Sequence, residues 1–531
     1  MNVLQLYNTI KYLRFEQLYY RLYYKLKVKF YSYPSTPAAA TIAAKAFPPI
    51  QFPAMSKGGQ YDPVNNTFSF LNKTHSFGEN IDWNYAAEGR LWTYNLDYFE
   101  WLDDERLEPG LRLNTMLDYS LNDEQLGNIV EAYPISLRGM NWIKFMSRQQ
   151  VEEEKVIGCL YRHYHRLSAF PEYQLQANHL LENGLSLFFA AHYFNDHTFY
   201  KLARKVLFTE LQEQILADGA HYELSPMYQC IIIQHLLDCI MLAQHSGRFK
   251  DDSLLQIMRD KAGKMGGWLK AFLFQDGSYA MFSDATYDIA PSPTFLFRYM
   301  EDLDIPAAEV TMKESGYRKI NTSNYEMLLD IGNVQPSYQP GHTHADTLSF
   351  CLQVNGMPFI TDTGISTYES GERRNFERST AAHNTVVVND LNSSDVWAVF
   401  RTAERAKVRI EEESGQRITA SHDGYKKQGV IHKRSVSWNN QKIIIEDQLI
   451  GYNGQNASLY LHFHPDVQIE NAGENQFIAG NIRITISEAY SMGIHNYLYC
   501  KGYNQLVEAK CLQAHIKERA TVVIELISYA G

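Results

Sequence analysis

The spacing of apolar residues changes once along this chain, near residue 320, and this change limits the folds open to it. Between residues 91 and 310, apolar residues recur at helical spacing in successive segments that short polar breaks separate. Beyond residue 320 the apolar residues form short β-branched runs, such as NTVVVND and ATVVIELISYA, with turn residues between them. We therefore expect a serial array of helices followed by antiparallel sheet.

The chain has 531 residues, too many for a single hydrophobic core, so more than one domain is expected. Residues 1–60 are predicted to form an N-terminal amphipathic helix and a linker rich in proline and alanine. Residues 61–318 are predicted to form the helical array, a toroid or solenoid, and residues 319–531 an antiparallel β-sandwich. The expected fold class is α+β, with a ligand cleft between the two large domains.

The net charge of −11 argues against a general nucleic-acid-binding protein. The six cysteines are scattered without disulfide or zinc-finger spacing, and we expect buried thiols. No stretch has the pattern of a signal peptide or a transmembrane helix, so the expected location is cytoplasmic. The basic, tyrosine-rich helix at residues 3–30 is of a kind that can lie on a membrane, although packing on its own domain is favoured. The oligomeric state is not predicted.

The stretch from Gly341 to Thr385 concentrates polar side chains between strand-like segments. It contains GHTHADTLSF, PFITDTG and AAHNT. In an extended His-x-His segment both rings lie on one face, so His342 and His344 can meet a common partner. Asp362 and His383 follow on the next two strand-like segments, although an aspartate at such a position also caps turns. Two imidazoles and one carboxylate form a common zinc ligand set.

Two motifs in the helical half can supply partners for these histidines. In QANHLLENG, Asn178 and His179 are adjacent and Glu182 follows three residues later on the face of His179. In ELSPMYQC, Ser225 and the proline after it are typical of a helix start. Tyr228 then lies in the first turn, where the positive helix end is expected to favour a phenolate.

Taken together, GHTHADTLSF, PFITDTG, RST and AHNTVVV resemble the heparinase II/III-like family of polysaccharide lyases, and the related alginate lyases of the same architecture. The resemblance is specific over Gly341 to Thr385 and weaker elsewhere. It implies an incomplete α/α toroid followed by a β-sandwich. It also implies cleavage of a uronic-acid glycan by β-elimination, in which a carboxylate is neutralised, the C5 proton is removed and O4 is protonated. The implied partner is an acidic polysaccharide or oligosaccharide.

The resemblance also implies roles for individual residues. Asn178 matches the residue that neutralises the substrate carboxylate, with help from His342, and Tyr228 matches the catalytic acid, which can also serve as base. The remaining matches are His179 as a base used by some members, Glu182 and Tyr368 as substrate contacts, and His344, Asp362 and His383 as ligands of one structural Zn²⁺.

One feature departs from the family pattern. Members often carry an arginine just after the catalytic tyrosine, whereas positions 229–233 are Gln, Cys, Ile, Ile and Ile. Such an arginine would help to hold an acidic sugar. The replacements considered are Arg138, Arg373, Arg374 and Arg378, and Arg378 is assigned to substrate binding.

Two other functions compete with a lyase. A glycoside hydrolase on a similar toroid needs two carboxylates across the sugar, for which Asp218, Glu223 and Asp284 are available. A glycan-binding or assembly component of exopolysaccharide production needs no catalytic residues, and the lack of a signal-peptide pattern favours it.

Overall fold

The computed structural model describes residues 3–55, 58–123 and 131–527. The α-helices are α1 Val3–Ile10, α2 Phe15–Lys27, α3 Ala38–Lys45, α4 Arg90–Tyr98, α5 Pro109–Asn122, α6 Ala132–Gln149, α7 Glu154–Ala169, α8 Ala177–Phe194, α9 His197–Gln214, α10 Pro226–His245, α11 Asp252–Phe272, α12 Pro293–Asp302 and α13 Glu372–Glu377.

The strands form one three-stranded sheet near the N-terminus and the sheets of the C-terminal half. Their bounds are β1 Tyr61–Asp62, β2 Thr67–Phe70, β3 Lys73–Ser76, β4 Tyr317–Asn321, β5 Tyr325–Asp330, β6 Phe350–Val354, β7 Met357–Ile360, β8 Val386–Val388, β9 Val396–Trp397, β10 Arg401–Thr402, β11 Val408–Ser414, β12 Arg417–His422, β13 Ile431–Trp438, β14 Lys442–Ile450, β15 Ala457–His462, β16 Glu470–Gly473, β17 Gln476–Ala479, β18 Ile482–Gly502 and β19 Gln505–Leu526.

Helices α6 to α11 pack on one another and form the core of the N-terminal half. Nearly every residue of α8 is buried, as expected for a helix that is apolar on all sides. Among the described residues, α10 is long and apolar enough to cross a membrane, but most of it is buried against its neighbours. We therefore assign α10 to the interior of the helical array.

The C-terminal half is built from two large antiparallel sheets and a short two-stranded one, β9-β10. Of the two large sheets, the smaller has the order β4-β5-β6-β7, and the larger runs β11-β12-β13-β14-β19-β18-β17-β16, with β15 on β19 and β8 on β15. One hydrophobic core contains Met327 and Leu352 from the smaller sheet and Ile445, Ile484 and Val522 from the larger. The helical array is followed by a β-sandwich, which confirms the predicted α+β fold class.

The N-terminal helices contact both halves of the protein. The Gln17 side chain of α2 is fully buried and donates to the Leu175 carbonyl oxygen (3.2 Å) and to Gln339 Oε1 (3.4 Å). Trp397 Nε1 of β9 donates to Thr9 Oγ1 of α1 (3.1 Å). Helices α1 and α2 therefore form a strap across the boundary between helical array and sandwich.

The six cysteines are all buried and unpaired, as the sequence predicts.

Candidate active site

A cleft of about 430 Å³ lies between the helical array and the β-sandwich. The helical array contributes Asn178 and Tyr228 to its walls, and the sandwich contributes His342, Tyr368 and Arg401. The cleft is therefore at the domain boundary, where the sequence predicts it.

Asn178 is held at the first turn of α8. The two residues before it, Gln176 and Ala177, have positive φ values of 60° and 54°, a strained conformation for residues other than glycine. Asn178 Nδ2 donates to Glu223 Oε2 (2.9 Å) and lies 3.4 Å from His342 Nε2. Surrounding contacts must stabilise this backbone, which is typical of functional sites.

Tyr228 lies in the first turn of α10, as predicted. The Tyr228 backbone N–H donates to the N-cap hydroxyl of Ser225 (3.3 Å), and Pro226 occupies the first helical position. The Tyr228 ring packs on the His342 ring with 4.1 Å between centroids. The predicted phenolate is wrong, because burial raises the pKa of Tyr228 and the neighbouring Tyr368 hydroxyl offsets this only in part. Tyr228 therefore keeps its proton.

Asp284, from the segment between α11 and α12 of the helical half, is buried and binds side chains of the sandwich half. His342 Nδ1 donates to Asp284 Oδ2 and His344 Nε2 to Oδ1, each at 2.9 Å. The guanidinium of Arg374 donates to both oxygens, at 2.5 and 2.8 Å. Burial alone would raise the pKa of Asp284, but Arg374 and the imidazoles hold it well below its usual range. The carboxylate therefore fixes both histidine rings and leaves His342 Nε2 facing Asn178.

His179 and Glu182 have different surroundings although they share a helix. His179 lines the cleft, contacts the Tyr133 ring and donates from Nδ1 to Glu172 Oε1 (3.1 Å). Burial would lower the pKa of His179, but Glu172 outweighs it and the pKa is raised. Glu182 is fully buried and accepts from His235 Nδ1 at 2.8 Å. The assignment of Glu182 to substrate binding is thus corrected: it supports His235, which lines the cleft.

Tyr368 and Arg378 were both expected to contact substrate, and the structure separates them. Tyr368 lines the cleft, its ring lies over the Arg374 guanidinium (4.9 Å), and its buried hydroxyl has no hydrogen-bond partner among the described residues. Arg378 is buried and donates to the carbonyl oxygens of Thr343 (3.0 Å) and Ala398 (2.9 Å). Arg378 therefore fixes loops behind the cleft and is not placed to hold a sugar.

The other replacement arginines also lie outside the cleft wall. Each is bound elsewhere, Arg138 to Asp97, Arg373 to Glu377 and Arg374 to Asp284. Two arginines do line the cleft, Arg90 of α4 and Arg401 of β10. Arg90 is also bound to Glu131. Arg401 is the arginine on the sandwich side. Sequence reasoning missed it because a single arginine in a short hairpin has no distinguishing pattern.

A group of metal-ligand type lies directly behind His342. Among the residues that the structure describes, His344 Nδ1 and His383 Nε2 are buried without hydrogen-bond partners. One ring nitrogen of each histidine and a carboxylate oxygen of Asp346 all lie within 4.8 Å of one another. Asp362, expected as the third ligand, accepts instead from His383 Nδ1 (2.7 Å). A carboxylate on the far nitrogen of a ligating histidine is the usual outer support of a metal site. The residues present fit a metal ion, with Asp346 in the position predicted for Asp362.

A second cluster, Asp123, Cys159 and His163, has similar ligand types in the helical half. Both ring nitrogens of His163 are already used, one with Asp123 Oδ1 (2.6 Å) and the other with Arg138 Nη2 (3.2 Å). The adjacent guanidinium makes this cluster unsuitable for a cation.

The carboxylates considered for hydrolysis do not face one another across the cleft. Asp218 accepts from the Ser315 backbone N–H and hydroxyl, at 2.9 and 2.8 Å, away from the cleft. Asp284 is neutralised by Arg374, and Glu223 is bonded to Asn178. This arrangement does not supply the acid and base of a hydrolase.

Comparisons with known proteins agree with this architecture. The model of the heparinase II/III N-terminus matches residues 134–294, and that of the heparinase II/III-like C-terminal domain matches residues 304–525. A heparin-sulfate lyase from Bacteroides stercoris is 25% identical over 342 residues, which cover 59% of this chain and 49% of that protein. The matched region thus spans about half the length of this curated relative.

Solved structures show the same fold at lower identity. The crystal structure of a heparinase III has a TM-score of 0.68 at 16% identity, with 98% of this chain and 93% of that chain covered. A heparan sulfate lyase from Pedobacter heparinus has a TM-score of 0.59 at 17% identity, with 93% and 88% covered. Because the two family models together match most of the sequence, the chain belongs to the heparinase II/III-like family.

Proposed function

We propose that this protein is a polysaccharide lyase that cleaves an acidic, uronic-acid-containing glycan by β-elimination. The observation that carries the proposal is the convergence of Asn178, His342 and Tyr228 on one cleft, with Asn178 Nδ2 at 3.4 Å from His342 Nε2 and the Tyr228 ring at 4.1 Å from the His342 ring. Family membership and the similarity to a protein named heparin-sulfate lyase support the same reaction class.

The first requirement is neutralisation of the sugar carboxylate, since the C5 proton is otherwise too weakly acidic. The Asn178 amide and His179 lie on the helical wall of the cleft. The raised pKa of His179 keeps more of its imidazole protonated at a given pH, which suits an anionic group. Arg90 and Arg401, which also line the cleft, supply positive charge in a protein that lacks the family arginine after Tyr228.

Proton transfer is assigned to His342 and Tyr228, whose rings are in contact. Because His342 Nδ1 donates to Asp284, Nε2 carries the lone pair of the neutral ring and can accept the C5 proton. Tyr228 keeps its proton because of its raised pKa, so it can donate to the departing O4 oxygen. No water is added, and the product contains an unsaturated sugar.

A second proposal concerns the metal: one Zn²⁺ held by His344, Asp346 and His383. A bound Zn²⁺ would supply a fixed charge and a set geometry. It would hold the loop that carries His344 and Asp346 to the loop that carries His383. The loop holding His344 also carries His342, so the residues of the metal group position the catalytic ring without taking part in proton transfer.

The test is an assay of the purified protein against uronate-containing polysaccharides, read at the ultraviolet absorbance of the new double bond. Tyr228→Phe keeps the ring and removes only the proton donor, so turnover should fall by ~10²–10⁴-fold with folding unchanged. Tyr490→Phe, which alters an exposed tyrosine, is the matched control.

Two results would count against the lyase. Wild-type turnover in the Tyr228→Phe variant would remove this residue from the mechanism. Tight binding of acidic glycans without any unsaturated product would favour the assembly component of exopolysaccharide production.

A further inference from the structure

The outward face of α2 is apolar along its whole length. Exposed large side chains recur at helical spacing, and together they form the outer stripe: Phe15, Leu18, Tyr19, Leu22, Tyr23 and Leu26. Phe15 is 79% exposed and Leu22 65%, and Phe30 just beyond the helix is 88% exposed. Residues three or four positions apart on a helix share one face, so the outer stripe is a continuous surface.

The inward face of α2 carries polar and aromatic side chains and is firmly attached, with the Tyr20 ring packed on Tyr173 and the Tyr24 ring on Phe170. Gln17 is buried against Leu175 and Gln339, the Tyr24 hydroxyl donates to the Pro171 carbonyl oxygen (2.7 Å), and Lys27 Nζ to that of Ala169 (2.6 Å). An ordinary surface helix buries its apolar face and exposes its polar one. Helix α2 leaves its most apolar face exposed, and the hydrogen bonds of the inward face fix this orientation.

The charge around the outer stripe indicates what covers it. Residues 3–30 contain six lysines and arginines and one glutamate, whereas the whole chain has a net charge of −11. Lys25 and Lys29 are exposed next to the stripe. Aromatic and aliphatic side chains bordered by lysines are the pattern of a helix that lies in the interface of an anionic membrane. With 13 residues, α2 is too short to span a bilayer.

We propose that the outer stripe docks the protein on the surface of an anionic lipid bilayer, with α2 parallel to the membrane plane. Leu175 and Gln339, which the inward face of α2 contacts, also line the cleft. The docked bilayer therefore lies beside the rim of the cleft, and a glycan close to the membrane surface reaches the site directly.

The experiment is flotation of the full chain with vesicles of phosphatidylcholine, with or without added phosphatidylserine. Wild type should float with the anionic vesicles and stay behind with the neutral ones. The triple variant Leu18→Ser, Leu22→Ser and Leu26→Ser should bind anionic vesicles about 100-fold more weakly, because each leucine buries apolar area in the bilayer. Lys25→Gln with Lys29→Gln should weaken binding about 30-fold, and added salt should abolish this difference.

The matched control replaces three equally exposed apolar residues elsewhere, Val64→Ser, Met357→Ser and Tyr490→Ser, and should float like wild type. Because the stripe is outside the cleft wall, turnover of a soluble glycan should be the same in all variants. Equal flotation of wild type and the leucine variant would overturn the proposal. So would a concentration-dependent dimer that the leucine variant loses without any vesicle binding, since the stripe would then be an interface between two copies.

Discussion

At the scale of single residues, Glu223 explains how the Asn178 amide can serve a negatively charged substrate. Asn178 Nδ2 is bound to Glu223, while its buried Oδ1 has no hydrogen-bond partner in the part of the chain that the structure describes. Burial raises the pKa of Glu223, although His342 and His179 partly offset this. A protonated Glu223 can donate to Oδ1 once the amide turns over, which frees Nδ2 for the sugar carboxylate. Glu223 is therefore a positioning residue.

Glu223→Gln mimics the protonated acid and should retain most of the turnover. Glu223→Ala leaves Asn178 unsupported, and a misplaced group of this kind can cost roughly 10²-fold. Because the pKa of Glu223 is raised, its carboxyl group stays protonated to a higher pH than an ordinary glutamate. As pH rises towards that raised pKa, Glu223 ionises and no longer frees Asn178 Nδ2, so kcat/KM of wild type should fall. A pH profile of kcat/KM checks this: Glu223→Gln should lack that alkaline decline. An identical profile in both proteins would contradict the role.

At the scale of elements, local patterns predicted the start of α10 but not the orientation of α2. Ser225 and Pro226 act on their own helix, so their sequence is enough. The apolar spacing of α2 predicted an amphipathic helix, yet which face it buries depends on partners such as Leu175, more than a hundred residues away. The same reason explains why Asp346, and not the predicted Asp362, lies with His344 and His383. Which carboxylate meets both histidines depends on how separate loops approach one another.

The metal group should hold two of these loops together, the one that carries His344 and Asp346 and the one that carries His383. Elemental analysis of the purified protein is expected to find about one zinc per chain. His383→Ala should abolish zinc binding and lower the thermal midpoint by at least about 4 °C. In a domain of this size that shift corresponds to a loss of roughly 1–2 kcal/mol in the free energy of unfolding. His495→Ala, an exposed histidine of β18, is the control and should change neither value.

The two aspartates can be distinguished by zinc titration. Asp346→Asn removes a ligand atom and should prevent binding, whereas Asp362→Asn alters only the support of His383 and should weaken binding 10–100-fold. A metal-free wild type whose thermal midpoint responds to neither zinc nor a chelator would rule out the site.

At the scale of the whole molecule, the change from helical to strand periodicity was enough to predict both halves and the cleft between them. The connection between the halves was harder to foresee. It follows α12 as a segment rich in charged residues, yet the Lys313 and Ser315 backbone N–H groups donate to Asp218 of the helical array, at 3.0 and 2.9 Å. The segment is thus fastened by a carboxylate almost a hundred residues earlier in the chain.

Limited trypsin digestion tests this attachment. In wild type, cleavage after Lys313 should be slow, because cleavage requires the backbone to leave its hydrogen bonds. Asp218→Ala removes the acceptor and should accelerate this cut by roughly tenfold or more, as expected for a loss of about 1.5–3 kcal/mol in bonds to a charged group. Asp260→Ala on the exposed side of α11 is the control. Equal cleavage rates in the three proteins would show that Asp218 does not secure the segment.

The contact between Asp284 and Arg374 has a consequence for the order in which the protein matures on the ribosome. The two residues are 90 positions apart, so Asp284 leaves the exit tunnel well before its cationic partner has been translated. A carboxylate cannot be buried alone without a large desolvation cost, so the loop around it must stay hydrated while translation continues. The helices can form early, but the catalytic cleft closes as one late step, and nascent chains stalled before residue 374 should carry an unfinished site.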